Sequence, residues 1–411
     1  MYRALFACTL ALLLASAAPA QFDRRTDAVA TMQEGDILLR MGNTEQALLQ
    51  YTAAIQQDPS FADAYMKRAS LYERLGMYTS AAADMDLALT LNPMSGHIMD
   101  RRARLRILMS DPKGAEADMV RAAMLEPYSE ELRLARVDEW VELGRLDKAL
   151  QELDTLLART PNDTLLLKQG FLLVGSEDAV GAMAIAQRLL QKRPPVVLAH
   201  DLMGLAEMAL GRPAGAITSF STAIELAPSF AVAYFNRAMA LRELGRDEEA
   251  LRDLNKAVEL SRDRTHYLFQ RALVLKETGD LEGALADHDR ALDLDPSLAE
   301  ARFNRAYTLK HMGHFLQAMQ EAEELIVQTP DDPEAWNMKG DLHLLFNEFI
   351  EAHAHYTRAI NLDPEAAEHY YDRGMGLLMN YQVIQGCRDL EEAIELGSER
   401  AKEALIYFCN F

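Results

Sequence analysis

Proline recurs along this chain at a regular spacing of about 34 residues. Nine of the fourteen prolines share this period: Pro59, Pro93, Pro127, Pro161, Pro194, Pro228, Pro296, Pro330 and Pro364. One step is shorter by a single residue, and Arg262 stands where another proline would fall. An alanine lies twelve residues before each of these positions and so has the same period, as at Ala47 and Ala216. Such a period indicates an array of one small unit repeated many times, in which each unit packs on its neighbours.

Each unit is predicted to contain two helices. Apolar residues recur at three- and four-residue spacing, a glycine such as Gly245 interrupts them, and proline ends the second helix. In the unit that begins at Ala231, one apolar stripe belongs to each helix: Tyr234, Ala238 and Leu241 on helix A, and Ala250, Leu254 and Ala257 on helix B. The small residues in these stripes predict close approach of the two helix axes.

The period and its fixed residues resemble the tetratricopeptide repeat. The residues that carry the resemblance are the proline steps, the small residues and the alanine–aromatic pairs: Gly204, Ala238 and Ala272, with Ala47/Tyr51 and Ala216/Phe220. The resemblance covers about residues 28 to 398. It implies an all-α fold, a right-handed superhelical solenoid of about eleven helix-turn-helix repeats, each of about 34 residues. The resemblance also implies that helix A lines the concave face.

The departures from the period suggest the organisation of the chain. The fifth unit is one residue shorter, lacks the turn glycine and ends in Pro194-Pro195, which predicts a softer joint between two blocks. The predicted segments are a signal peptide over 1–20, units one to four over 28–163, the degenerate fifth unit over 164–196, units six to eleven over 197–398, and a capping helix over 399–411.

The first twenty residues have the pattern of a cleaved secretory signal. Arg3 precedes an apolar run over residues 5–17, and Ala18-Pro19-Ala20 forms a small-residue cleavage site before Gln21. We therefore expect cleavage after Ala20 and an exported protein, periplasmic or extracellular. Glutamine directly after Ala-x-Ala resembles exported proteins of the Bacteroidetes. The apolar run is too short to span a bilayer, so no membrane span is expected.

The net charge, together with the absence of catalytic and metal-binding motifs from the sequence, argues against several classes of function. A formal net charge of -21 opposes binding to nucleic acid, which requires a basic surface. The sequence has no nucleophile elbow, phosphate-binding glycine loop or paired-cysteine metal motif. The histidine pairs at positions 311/314 and 353/355 are not accompanied by a convergent set of further ligands. We expect no enzymatic activity, no cofactor or metal, and no small-molecule substrate.

Two cysteines lie beyond the signal, Cys387 and Cys409. Gly397 is ten residues after the first and twelve before the second, so a helical hairpin that turns near it would bring them to a similar level. In an oxidising compartment they could form a disulfide that fastens the C-terminal cap. Two unpaired, buried thiols are the alternative.

Basic and acidic residues also recur in step, separated by sixteen residues. The predicted pairs are Arg68/Asp84, Arg102/Asp118, Arg136/Glu152, Arg237/Asp253, Arg271/Asp287, Arg305/Glu321, Lys339/His355 and Arg373/Asp389. Where the basic residue is missing, the acid is missing too, as at Met203/Ser219. This matched loss favours ion pairs within each hairpin over a basic stripe for an anionic ligand.

A second set of residues predicts the partner-binding groove. Three successive A helices carry an aromatic residue, an apolar residue and a basic residue on one face, with asparagines beside the aromatic row: Phe235, Asn236, Met239, Arg242, Phe269, Leu273, Lys276, Phe303, Asn304, Tyr307 and Lys310. The family resemblance implies that this face takes extended peptides or partner helices, and the basic edge suggests acidic ones. The alternative is that the phenylalanines pack between repeats.

The sequence therefore predicts a non-enzymatic scaffold that binds segments of other envelope or extracellular proteins in the concave groove. One alternative is a structural subunit that docks through other surfaces. Another is an accessory factor, associated with a glycan or an enzyme, that acts only within a larger assembly.

Overall fold

The computed structural model describes residues 24–192 and 196–409. Within these residues the regular secondary structure consists of 23 helices, and no strand is present. The helices follow one another in pairs with the period of the proline steps, so the chain is an all-α repeat solenoid. The predicted signal peptide lies outside the described residues.

The first helices of successive pairs are α1 over 24–40, α3 Ala62–Arg74, α5 Gly96–Leu108, α7 Glu130–Glu142, α9 Asp163–Gly175, α11 Val197–Ala209, α13 Ala231–Glu243, α15 Thr265–Glu277, α17 Ala299–His311, α19 Pro333–Leu345 and α21 Ala367–Met379. The second helices are α2 Thr44–Gln57, α4 Tyr78–Leu91, α6 Pro112–Leu125, α8 Leu146–Arg159, α10 Ala179–Leu190, α12 Pro213–Leu226, α14 Asp247–Leu260, α16 Leu281–Leu294, α18 Phe315–Gln328, α20 Phe349–Leu362 and α22 Val383–Glu395. A last helix, α23, covers Glu399–Phe408.

The chain forms two compact units, divided between Leu189 and Leu190 at the end of α10. In the first unit, buried apolar side chains of α1 to α6 form one cluster, and those of α5 to α8 form another. In the second unit, one large cluster runs from α13 to α17. It contains Ala238, Leu241, Ala250, Leu254 and Ala257, which confirms the stripes expected from the sequence.

The turn between the two helices of a repeat always places one residue at positive φ. Seven repeats have glycine there, while four have Ser110, Glu177, Asn347 and Tyr381, with φ of 59°, 66°, 61° and 58°. A side chain in this left-handed conformation costs about 1–2 kcal/mol, because its Cβ crowds the following carbonyl. These four repeats therefore keep the turn geometry at the expense of backbone strain.

Replacing Tyr381 by glycine should raise the free energy of unfolding of the second unit by about 1 kcal/mol, because the strain disappears. The tyrosine is 92% exposed, so little packing is lost. Urea unfolding followed by circular dichroism measures the change. Asn347→Gly is the matched control and should gain less, since asparagine tolerates positive φ better; equal or lower stability of Tyr381→Gly would contradict the interpretation.

The contact between the two helices of a repeat depends on complementary sizes of residues sixteen positions apart. Glycine faces an aromatic ring, and a Cβ on Gly35 or Gly340 would lie 2.7 Å from Tyr51 or 2.6 Å from Tyr356. Alanine faces a slimmer side chain in other repeats: the pairs are Ala69/Met85, Ala103/Met119 and Ala238/Leu254, all buried. These five repeats thus fill the same gap with different divisions of volume.

Gly204→Ala should lower the free energy of unfolding by about 1–3 kcal/mol, because its Cβ would overlap the fully buried ring of Phe220. Adding Phe220→Leu recreates the Ala238/Leu254 arrangement, so the double variant should lose less than the two single losses summed. Thermal unfolding of the four proteins tests this. Gly175→Ala, whose Cβ would lie 3.6 Å from Leu146, is the control and should not destabilise; purely additive losses would contradict the size-matching account.

Ion pairs link the two helices of most repeats, as the sequence predicts. Arg68, Arg102, Arg237, Arg271 and Arg373 each donate two hydrogen bonds to the aspartate sixteen residues later, at 2.5–2.9 Å. Two further pairs have single bonds, Arg136–Glu152 at 3.1 Å and Arg305–Glu321 at 2.8 Å. The structural interpretation of the charge pattern is therefore confirmed for seven pairs.

The eighth predicted pair is wrong. Lys339 does not pair with His355 and instead lies 3.3 Å from Glu323, sixteen residues before it. The arginines make the same backward contact: examples are Arg68 to Thr52 at 3.2 Å, Arg237 to Ser221 at 3.0 Å and Arg271 to Asn255 at 2.9 Å. Each such side chain thus contacts the second helix of its own repeat, or of the preceding one, or both.

The C-terminal end is held by α23 and by a covalent link. Cys387 on α22 and Cys409 directly after α23 form a disulfide, with Cα atoms 5.8 Å apart. Ala401 and Ala404 of α23 are buried against Leu390 and Ala393 of α22. This last helix therefore covers the apolar surface of the final repeat.

Candidate functional site

The predicted groove residues lie on α13, α15 and α17 of the second unit, and their side chains differ in how deeply they are buried. Phe235 is buried, and its ring stacks on Tyr267 with centroids 4.7 Å apart. It also lies 5.0 Å from the ring of His266. Phe235 thus packs between neighbouring repeats, which corrects the expectation that it is presented to a partner. The reason is that Tyr267 of the next repeat covers it.

The other apolar residues of the predicted groove are half-buried. Phe269 and Met239 pack at the edge of the cluster of α13 to α17, and Phe303 and Tyr307 pack at the edge of the next cluster. Leu273 is half-buried as well. Part of each side chain therefore stays accessible, and a partner-binding role for these residues stays a prediction.

The basic residues of this face contact the next first helix along the chain. Arg242 pairs with Glu277 at 2.7 Å, and Lys310 pairs with Asp341 at 2.7 Å. Lys276 differs, since its Nζ donates to the neutral amide oxygen of Asn304 at 3.0 Å. Burial lowers the pKa of Lys276. Of the three, Lys276 is the cation that this face neutralises least.

Aromatic and amide groups surround these cations. The Nζ atoms of Lys276 and Lys310 lie 4.8 and 5.4 Å from the centroid of the Tyr307 ring, which places both in cation–π range. Asn304 also donates to the Glu300 carbonyl at 2.9 Å. Asn236 donates to the buried Asp201 at 2.8 Å, so its amide is engaged within the protein.

A second candidate site, which the sequence analysis missed, lies in the first unit. A groove of about 620 Å³ is lined by residues of α3, α5 and α7 and by Tyr78 at the start of α4. Its lining includes Asp100 and Glu139, which are only 4% and 6% exposed. Asp100 Oδ1 and Glu139 Oε2 have no hydrogen-bond partner. We call this pair of buried carboxyl groups the carboxyl floor.

Burial is the main cause of the unusual acidity at the carboxyl floor. Burial raises the pKa of Asp100 to about 6; burial first, and the charge of Asp100 second, raise the pKa of Glu139 to about 8. Arg136 is fully buried nearby, but its Nη1 lies 4.0 Å from Asp100 Oδ1, too far for a hydrogen bond. Its Nε donates to Glu152 at 3.1 Å. The floor therefore contains two carboxyl groups, each with an oxygen that lacks a hydrogen-bond partner, beside a guanidinium whose Nη atoms also lack one.

The sequence does contain a signal for Glu139. Eight other repeats have a buried residue without charge at the equivalent position of the first helix: Leu71, Leu105, Ala206, Ala240, Val274, Thr308, Leu342 and Gly376. Glutamate at this position breaks a rule that these repeats keep. Aligning the repeats on their helix starts would have identified it.

Comparison with known families identifies the repeat. Family models described as tetratricopeptide repeat match residues 32–95 and 202–264, residues 275–342, and residues 333–366. Together with the helix pairs described above, these matches show that the chain belongs to the tetratricopeptide repeat family. Repeats of this class build protein–protein interaction scaffolds.

The curated relatives match a part of the chain. RNA polymerase II-associated protein 3 of Xenopus tropicalis is 28% identical over 124 residues, which is 30% of this chain and 18% of that protein. Mitochondrial import receptor subunit TOM70 of Rattus norvegicus is 28% identical over 121 residues, covering 28% of this chain and 20% of the receptor. The chain thus spans about a fifth of the length of these relatives.

Solved structures of repeat proteins resemble the chain at low identity. A tetratricopeptide repeat protein from Parabacteroides merdae is 23% identical, with a TM-score of 0.47, over 60% of this chain and 99% of its own. Yeast Tom70 is 16% identical, with a TM-score of 0.42, over 93% of this chain and 95% of its own.

Membrane spans and metal clusters are both absent from the part of the chain that the structure describes. Over residues 24–192 and 196–409, none of the helices combines the length and the apolar character that crossing a bilayer requires. The same residues include no group of three or more histidine, cysteine, aspartate or glutamate side chains arranged to hold a metal ion.

Proposed function

We propose that this protein is an exported, non-enzymatic scaffold that binds segments of partner proteins on the first-helix surface of residues 231–313. The observation that carries this proposal is the run of half-buried rings and cations on α13, α15 and α17, above all Lys276 beside Tyr307. Aromatic side chains provide rigid apolar contact area, and cations at their edge select the charge of the ligand.

An acidic segment suits this surface best. Lys276 has a neutral partner, Asn304, so a ligand carboxylate would gain a charge-assisted hydrogen bond there. Arg242 and Lys310 already have carboxylate partners and would add less. Phe235 is excluded from the contact surface because it is buried.

Affinity capture from detergent-solubilised cells of the source organism tests the proposal. The mature chain is compared with a Lys276→Gln, Tyr307→Ala variant, with folding of both checked by circular dichroism. A partner held by the native chain should be lost from the variant. Lys256→Gln, at an exposed position on α14 paired with Glu259, is the matched control. Retention of all partners by the folded variant would argue against this surface.

A specific observation favours docking through another surface as the second candidate. Leu316, Ile350 and Ile384 stand one repeat period apart on α18, α20 and α22, and they are 78%, 80% and 74% exposed. Exposed apolar residues in such a row are typical of interaction surfaces. If a Leu316→Ser, Ile350→Ser, Ile384→Ser variant loses partners that the Lys276 variant keeps, this row is the docking surface.

Export to the periplasm or the cell exterior is part of the proposal. The signal-like first twenty residues support it, and the Cys387–Cys409 disulfide fits an oxidising compartment. N-terminal sequencing of the protein from its native cells should begin at Gln21. An intact Met1 on the purified protein would contradict export by cleavage.

A further inference from the structure

The carboxyl floor of the first unit is an unusual feature for a protein interior. A buried polar group without a partner costs about 1–3 kcal/mol, and more when it carries charge. Asp100 and Glu139 are both more than nine-tenths buried, and both line the groove between α3, α5 and α7. Two such groups lie at one place, each with an unpartnered oxygen, and the only fully buried cation beside them in the described part of the chain is Arg136.

The cations around the groove neutralise the floor only in part. Arg101 and Arg104 both approach Glu73, at 3.8 and 3.2 Å. Arg101 also donates to Ser70 at 2.8 Å. Arg136 has its hydrogen bond to Glu152 and stays 4.0 Å from Asp100. The Nη atoms of Arg136 have no hydrogen-bond partner either, so one guanidinium, already bonded to Glu152, stands beside the two buried carboxyl groups. The floor therefore keeps an excess of carboxylate over cation.

The walls of the groove define what can reach the floor. Tyr78, Leu108, Leu132 and Ala135 contribute to the lining, so the path to the carboxyl groups is partly apolar. A lysine or arginine side chain matches this arrangement, since its methylene stem packs on apolar walls while its charged end reaches the acceptors.

We propose that the carboxyl floor binds the ammonium or guanidinium group of a lysine or arginine side chain from a partner polypeptide. The inference rests on the proposed function, in that the chain binds polypeptide segments, but it concerns the first unit and the opposite charge. A ligand cation at the floor would neutralise the carboxylate charge that Arg136 leaves, so burial of this charge would favour a basic ligand over others.

Selection from a random peptide library on the full mature chain tests this proposal. The selection is run at pH 8.5, above the pKa of Glu139. Selected peptides are measured by isothermal titration against the native chain and Glu139→Gln. We expect peptides that share a lysine or arginine, whose Kd rises at least about tenfold on Glu139→Gln and by a similar factor when norleucine replaces the lysine. Asp100→Asn is the second floor variant and should act in the same direction.

Two controls separate the explanations. Glu142→Gln changes an exposed carboxylate on the same helix and should leave the Kd unchanged. The Lys276→Gln, Tyr307→Ala variant shows whether any selected peptide uses the second unit instead, so failure of one site is distinguishable from failure of the other. Absence of peptides sensitive to Glu139→Gln would overturn the proposal. Spermidine binding as tightly as the peptides, with the same sensitivity, would overturn a polypeptide as the ligand.

Discussion

Asp84→Ala is expected to lower the free energy of unfolding of the first unit by about 3 kcal/mol or more. The carboxylate is 3% exposed and accepts two hydrogen bonds from Arg68, both at 2.8 Å. Breaking a buried ion pair leaves the remaining charge desolvated, which costs about 3–5 kcal/mol. The Arg68 side chain is 16% exposed, which places the expected loss toward the lower end. Urea unfolding with hydrogen exchange of α3 and α4 measures it.

The chain provides a natural control for this experiment. Repeat six has Met203 and Ser219 where repeat two has Arg68 and Asp84. An Arg68→Met, Asp84→Ser double variant places the two residues of repeat six in repeat two. It should be more stable than Asp84→Ala alone, because no unpaired charge remains. If the double variant is the less stable protein, the loss at Asp84 has another cause than the unpaired arginine.

Glu139→Gln is expected to stabilise the first unit, and to do so increasingly as the pH rises. In the unfolded chain the carboxyl ionises near its ordinary pKa of about 4.3, whereas in the folded chain its pKa is about 8. Between these values the folded state binds more protons than the unfolded state, so native stability falls with rising pH. Near pH 8 the variant should exceed the native chain by on the order of 3 kcal/mol.

Unfolding curves at pH 5, 6, 7 and 8 provide the measurement for Glu139. The difference between variant and native chain should be small at pH 5 and largest at pH 8. Glu142→Gln, exposed on the same helix, should show no such trend. A difference independent of pH would mean that packing, and not ionisation, distinguishes the glutamine variant.

The repeat architecture could be predicted from the sequence because its signals are periodic. Each proline step and each apolar stripe occurs many times, so helix positions such as those of α13 and α14 follow from register alone. The Arg–Asp pairs were predictable for the same reason, since both members of a pair disappear together at Met203/Ser219. Repetition within one chain here provides the comparison that an alignment of relatives would otherwise supply.

Features that depend on the neighbouring repeat were not predictable in this way. The backward contacts of Arg68 and Arg237 join residues of different chemistry, Thr52 and Ser221, so no shared residue type reveals them. The burial of Phe235 depends on Tyr267, a ring specific to the next repeat. Such contacts are set by how two particular repeats stack, which periodicity does not specify.

The arginine contacts also affect how unfolding spreads from one repeat to the next. A side chain such as Arg68, bonded to Asp84 in its own repeat and to Thr52 in the preceding one, makes it costly for either repeat to melt alone. Repeat six has the uncharged Met203 at this position, and the division of the chain into its two compact units comes shortly before it, between Leu189 and Leu190. In a linear array with nearest-neighbour coupling, a weak link sets where cooperativity ends. The protein should therefore unfold as two cooperative segments, one for each compact unit.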